Sequence, residues 1–227
     1  MLKLAKYLKK SIIPILVIFG LLVIQAMCDL ALPDYTSKIV DIGIQQGGIE
    51  HAAPQAIAKE QLTKILLFIQ ESEQQTVLKE YRLLDPETLS DSEYQKYLKE
   101  YPALENEPVY VLNTKDTEKI ERLSSLLAKP ILLTEFLEQE NGQSAALKEQ
   151  LLSQVMPGEV PQQIPVDSID LFQLLSNLPA EQREQLTAKM EEPFGDLSDS
   201  MSQQSAAAFL KTEYERLGMD ASDIQTG

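Results

Sequence analysis

The chain has 227 residues, 35 acidic and 20 basic side chains, a formal charge of −15 and a hydrophobic content of 44%. So acidic a balance repels phosphate backbones, which argues against a nucleic-acid partner, and keeps the bulk of the chain off an anionic lipid surface. A single cysteine, Cys28, and a single histidine, His51, leave no internal disulfide, no thiolate metal site and no His pair for a transition metal.

The N-terminus carries the strongest pattern. Lys3, Lys6, Lys9 and Lys10 precede an uncharged, mostly aliphatic run from Ser11 to Cys28. The apolar stretch extends to Leu32 with Asp29 as its one charge. At about 1.5 Å per residue, Ser11–Leu32 covers roughly 33 Å, enough for a hydrocarbon core. A basic flank before such a run predicts a transmembrane helix with its N-terminus in the cytoplasm and the acidic remainder outside. Pro14 falls near the first turn, where proline is tolerated. Pro33 predicts a kink or the level at which the helix leaves lipid. Helical spacing resumes at Tyr35, Ile39 and Ile42, with Val40 and Ile44, and stops at Gln45-Gln46-Gly47-Gly48. Together these predict one long, bent helix from about Leu4 to Gln46, ended by Gly47 or Gly48.

A cleaved signal peptide shares the basic and apolar regions. However, Ala26 and Ala31 do not sit in a small-x-small cleavage pattern. Met27 and Gln25 also spoil a lipoprotein site at Cys28. These residues favour a retained helix. Gln25 and Asp29, one turn apart, either face protein or water within the membrane or reach interfacial water; both readings stay open. Asp34, Tyr35, Ser37, Lys38 and Asp41 continue the helix as a polar stalk, which implies neighbouring helices.

Residues 49–220 read as a mostly helical domain with little β, and 221–227 as a lead-out. Ile57, Leu62, Ile65, Leu66, Phe68, Ile69 and Leu78 predict a helix over Gln55–Leu84, ended by Asp85-Pro86. Ser90 and Glu93 form a capping-box signal for Ser90–Tyr101, with Tyr94, Tyr97, Leu98 and Tyr101 on one stripe. Val109–Leu112 is the one strand-like run. Thr114–Ala128 is predicted as a helix stopped by Pro130, followed by Ile131–Glu140 and Gln143–Met156. Gly158–Pro165 reads as loop. Asp167–Leu178 opens with Asp167 and Ser168 as caps, and Pro179 suits position N1 of a helix running through Met190. Phe194–Ser200 reads as a turn region, and Met201–Leu217 as a last helix ended by Gly218.

Chemistry-bearing motifs are missing. The chain has no Gly-x-x-x-x-Gly-Lys loop, no Gly-x-Ser-x-Gly elbow and no twelve-residue Ca²⁺ loop. His51, just after a Gly-rich break, reads as a surface loop residue. Glu71/Glu73 and Glu191/Glu192 read as solvated faces, because near-adjacent helical acids point in different directions. The chain by itself is not expected to be an enzyme, and no catalytic, metal or cofactor residue is assigned.

The stretch Cys28–Gly48, with Pro33 followed by Ile39-Val40-Asp41-x-Gly43-Ile44, resembles the first transmembrane helix of bacterial ABC exporter half-transporters. The resemblance covers roughly residues 1–50. Members usually have a short outer loop after this helix, whereas some subunits of heterodimeric exporters carry an extracellular domain there, as residues 49–220 would be. Tyr214–Gly227 then looks like the lead-in to a second membrane helix. The resemblance implies several things about the intact protein. It would be an ATP-hydrolysing permease, with ATP and Mg in a nucleotide-binding domain to which no residue here corresponds. Its partners would be the membrane, the other transmembrane helices and a second half-transporter. Gln25, Asp29, Asp34 and Tyr35 would line or gate the pathway. A different class stays open: a single-span or signal-cleaved surface protein whose outer domain binds a ligand or partner.

Overall fold

The computed structural model describes residues 12–38, 40, 48–139, 141–155, 170–191 and 197–219. The chain divides into two compact units, Met1–Gly47 and Gly48–Gly227.

The first unit contains helix α1, Ile12–Lys38. Pro14–Ser37, 24 residues, is long and apolar enough to cross a membrane. Its large apolar side chains, from Ile15 and Leu16 through Leu30 and Leu32, are all exposed. The helix runs on through Pro33, and one turn later the Thr36 hydroxyl donates to the Leu32 carbonyl at 2.9 Å. The ends of the longer helix expected from Leu4 to Gln46 fall mostly outside the described residues. Gly48 has φ 93°, a left-handed conformation open to glycine at little cost.

The second unit is mostly helical but has a sheet at its centre. In chain order it comprises β1 (Ala56–Ala58), α2 (Lys59–Leu66), α3 (Glu71–Lys79), β2 (Tyr81–Leu84), α4 (Asp91–Glu100), a 3₁₀ turn (Pro102–Glu105) and β3 (Val109–Leu112). There follow α5 (Thr117–Glu138), α6 (Gly142–Val155), α7 (Leu171–Ser176), α8 (Ala180–Glu191) and α9 (Asp199–Leu217). The strands are antiparallel in the order β1-β3-β2, with Ile57 opposite Tyr110 and Leu84 opposite Val109.

The period of two along each strand separates two cores. Ile57, Tyr81, Tyr110 and Leu112 join the larger core, with Leu62 and Ile65 of α2, Leu127 and Ile131 of α5, and Leu210 and Tyr214 of α9. Ala56, Ala58, Leu84 and Val109 face the other way, onto Tyr94, Tyr97 and Leu98 of α4 and Leu104 of the 3₁₀ turn. A third cluster joins Leu133 and Leu137 of α5 to Leu151 and Leu152 of α6, Leu171 of α7 and Leu186 of α8.

Several sequence expectations need correcting. Gln55–Leu84 is not one helix but β1, α2, α3 and β2. Its apolar residues serve different partners, and pairing with β3 overrides helical spacing over 56–58 and 81–84. Val109–Leu112 is a strand, but the middle one of three. Pro130 does not stop a helix: α5 runs from Thr117 to Glu138 with Pro130 buried inside it. A proline there costs about 3 kcal/mol. Burying Leu123, Leu127 and Ile131 in one core and Leu133 and Leu137 in another offsets it at about 1.5–3 kcal/mol per side chain. The cap of α7 is Asp170, whose carboxylate accepts from Gln173 N at 3.0 Å. Asp167, Ser168 and the loop Gly158–Pro165 lie outside the described residues. Pro179 precedes α8, with its carbonyl accepting from Gln182 and Arg183 N.

Other signals hold. Ser90 Oγ caps α4 by accepting from Glu93 N and donates to Glu93 Oε2 at 2.8 Å. The last helix, α9, ends at Gly218, with φ 75°, where Met219 N donates to Tyr214 O and Gly218 N to Glu215 O. These bonds satisfy carbonyls that the helix end leaves orphaned. A Cβ at Gly218 would lie 3.0 Å from Pro102 Cγ. Gly218→Ala is therefore expected to lower stability by about 1–2 kcal/mol, from the left-handed backbone alone. Chemical denaturation should give a lower midpoint with unchanged slope, and an unchanged midpoint would contradict this account of the cap.

Candidate functional site

Two sets of residues qualify, one in each unit. The first lies on α1. Gln25 and Asp29 are one turn apart, so they share a side of the helix, and Thr36, two turns beyond Asp29, continues that line. Gln25 and Asp29 are exposed. Tyr35 is also exposed, at 68%, but lies about 120° round the helix from Asp29 by ideal geometry. The structure thus brings Gln25 and Asp29 together and sets Tyr35 apart from them. Asp34 falls within α1, but its side chain is outside the described residues. Lys3, Lys6, Lys9 and Lys10 also lie outside them. Asp29 is the costly member of the set, because a carboxylate on a span-length apolar helix needs protein or water beside it.

The second set closes the Gly48–Gly227 unit. The chain enters this unit through residues 48–55, which form neither helix nor strand. Yet Ile49, Ala52 and Ala53 are buried. Buried irregular backbone must find partners for its polar groups, and side chains of distant elements, with one backbone amide of β3, supply them. Ala53 N donates to Ser124 Oγ of α5 at 3.1 Å. Gln55 N donates to Tyr214 Oη of α9 at 2.8 Å. Tyr81 Oη donates to Pro54 O at 3.0 Å, and Leu112 N to Gln55 O at 2.8 Å. Ala58 N donates to Glu213 Oε1 at 3.0 Å.

Glu213 is only 4% exposed, so its carboxylate needs compensation. Arg216 provides it, one turn along: Nε donates to Oε2 at 2.8 Å and Nη2 to Oε1 at 2.9 Å. The same guanidinium pairs through Nη1 with Glu107, just before β3. Hydrogen bonding to Glu213 holds the Arg216 guanidinium above its usual range against the cost of burial, with Glu107 helping. Burial pushes both the Tyr81 and Tyr214 phenols up: Tyr81 with a further push from Tyr214, and Tyr214 against the Gln55 hydrogen bond, with further pushes from Tyr101 and Glu213.

None of Ser124, Tyr81, Glu213 and Tyr214 stood out in the sequence. Their roles rest on backbone partners 27 to 159 residues away in the chain, which local patterns do not reveal. The one available signal was Tyr214 and Leu217 at helical spacing ahead of a Gly218 stop.

An open groove of about 620 Å³ runs between α2 and α7, lined by Lys59, Thr63, Lys64, Glu107 and Phe172 among others. Its Lys64 ammonium is already engaged by Glu60 at 2.8 Å and Glu138 at 3.0 Å, and lies 5.4 Å from the Phe172 ring centroid. His51 sits 4.0 Å from Glu50 with its side chain 30% exposed. Glu71 and Glu73 occupy the first turn of α3, where the helix dipole favours acids. Glu191 and Glu192 have no described side chains. Among the described residues, no group of three or more His, Cys, Asp and Glu side chains is placed to hold a metal ion.

Comparison with protein families, with curated proteins and with solved structures finds no match for this chain.

The buried phenols set a pH dependence. A phenol held above its unfolded value of about 10 stays protonated in the folded chain after the unfolded chain has lost the proton. Above pH 10 the unfolded state therefore binds fewer protons, and the unfolding free energy falls as pH rises, by up to about 1.4 kcal/mol per pH unit per tyrosine. Below pH 10 this contribution is fully present. Denaturation between pH 8 and pH 11 should show the decline, and Tyr214→Phe should flatten it. An unchanged slope in that variant would contradict the role of burial at Tyr214.

Proposed function

We propose that this chain is the N-terminal part of an ATP-driven exporter subunit. In this reading α1 is a pathway helix, and the Gly48–Gly227 unit is an extracellular domain set between the first and second membrane helices. The carrying observation is that the chain's path into the second unit adjoins its path out. Gln55 and Tyr214, 159 residues apart, are joined by a 2.8 Å hydrogen bond, and α9 ends at Gly218 beside Pro102. A domain with neighbouring ends can be inserted between two adjacent elements without forcing them apart.

Four further features support the reading. Pro14–Ser37 is apolar enough to span a membrane. The run from Pro33 to Ile44 resembles the first helix of half-transporters. The four N-terminal lysines favour a cytoplasmic start, and the acidic excess of the rest suits a water-facing domain. On this reading Gln25 and Asp29 face neighbouring helices or a watery pathway, and Asp34 and Tyr35 belong to its outer end. The domain caps or biases the outward opening, and the nucleotide chemistry resides in a separate ATP- and Mg-binding domain, with a second half-transporter as partner.

The direct test is to read the gene beyond Gly227. The expected result is a second apolar segment close by and, further on, a Gly-x-x-x-x-Gly-Lys loop. A stop codon with no adjoining split gene would sink the exporter reading and leave a single-span surface protein. Protease added to intact cells should cut within residues 48–219 and spare the initial lysines. Cleavage of mature protein before Cys28, seen by N-terminal sequencing, would instead mark a secreted module.

A further inference from the structure

We propose that Ser124 and Tyr214 form a latch that fastens the incoming segment, residues 49–55, to the outgoing helix α9 and its neighbour α5. The second unit thereby acts as a tie of fixed length between the chain that enters and the chain that leaves. The observations are geometric. The incoming segment has no helix or strand of its own, so its attachment rests on a few defined contacts. Two of its amides end on single side-chain oxygens: Ala53 N on Ser124 Oγ and Gln55 N on Tyr214 Oη. Tyr81 Oη holds the intervening Pro54 carbonyl.

The apolar part of the attachment is Ile49, Ala52 and Ala53, all buried in the larger core. From Ala56 onward the chain is in the sheet and is additionally held by the Glu213–Arg216–Glu107 chain. That arrangement makes a boundary of two strengths at Gln55. Pulling the two ends apart first opens the latch and frees Ile49, Ala52 and Ala53 from the larger core, while the sheet stays paired behind it. Cooperative units of unequal stability open in that order. Below the latch's limit, the two ends are held at one separation and the unit moves as one piece.

The latch deepens the reading of an inserted domain and rests on it for context, but its test is independent of any sequence beyond Gly227. The intact 227-residue chain in detergent micelles, with Cys28→Ser to remove the lone thiol, is spin-labelled at Glu50→Cys and Glu215→Cys, both exposed positions. A second sample carries labels at Glu121→Cys and Lys211→Cys, which report α5 against α9. Dipolar electron paramagnetic resonance should give one narrow distance distribution for each pair. In Ser124→Ala with Tyr214→Phe, the 50–215 distribution should broaden about twofold while the 121–211 distribution is unchanged, as expected for a local opening. A broad 50–215 distribution in the parent would overturn the latch, as would a narrow one in the double variant. Equal broadening of both pairs would also overturn it, by assigning the two hydroxyls to the stability of the whole fold. A stop codon after Gly227 together with a working latch would remove the transporter context and leave the device standing.

Discussion

The architecture of the second unit depends on satisfying the backbone of a buried but irregular segment. An unpaired N–H or C=O away from water costs about 1–3 kcal/mol, and residues 49–55 carry several such groups into the core. Pairing them requires oxygens at fixed places on three elements distant in sequence. Ser124 fixes α5, Tyr214 fixes α9 and Tyr81 fixes β2 around the same short stretch. Small side chains accompany these contacts. Ala52 and Ala53 are buried in the larger core beside them. The larger core then closes over Ile57 from both α5 and α9.

Glu213 shows how charge is used in this frame. Replacing water around a carboxylate is expensive, and Arg216 compensates with two hydrogen bonds from its own helix. Because the pair is local, it forms as α9 forms. What it adds is reach: one Glu213 oxygen meets the last residue of β1, Ala58, and the far side of the guanidinium meets Glu107 ahead of β3. The ends of β1 and β3 are thus keyed to one turn of α9. Replacing the ion pair with apolar groups of equal volume need not lower stability. It would remove the directional contacts that tell β1 and β3 where α9 lies.

Features governed by near neighbours were legible in the sequence. Ser90 and Glu93 announced the start of α4, Gly218 the end of α9, and Val109–Leu112 a strand; each rests on residues within one turn or one alternation. The Tyr94, Tyr97, Leu98 and Tyr101 stripe was also read correctly, since α4 packs by that face alone. Distant partners broke the reading. Ile57 looks helical beside Leu62 and Ile65, and only pairing with Tyr110 makes it a strand residue. Tyr81–Leu84 likewise passes for a helix end until β3 is beside it. Pro130 is a breaker locally, but two cores grip α5 on either side of it. For α1, the apolar length was evident from composition, and the shared side of Gln25 and Asp29 comes from their i and i+4 spacing. The same arithmetic sets Tyr35, six residues beyond Asp29, on a different side from that pair.

On the proposed reading, Asp29 poses the sharpest energetic question for α1, and magnitudes decide it. A carboxylate at the middle of a membrane helix costs about 2.5–3.5 kcal/mol on insertion scales, and less towards an end. Asp29 lies about 22 Å along from Pro14, past the midpoint of the apolar run. The Leu, Ile, Val and Phe side chains between Ile15 and Leu32 together contribute about −5 kcal/mol on the same scale. Insertion therefore tolerates Asp29 but is not helped by it, and replacement by an apolar residue would strengthen the span. A group that weakens the helix's hold on lipid is explained by what it meets there. Gln25, Asp29 and Thr36 along one line present hydrogen-bonding groups at three successive levels, which suits a protein or water contact running along the helix and leaves the remaining apolar surface for lipid.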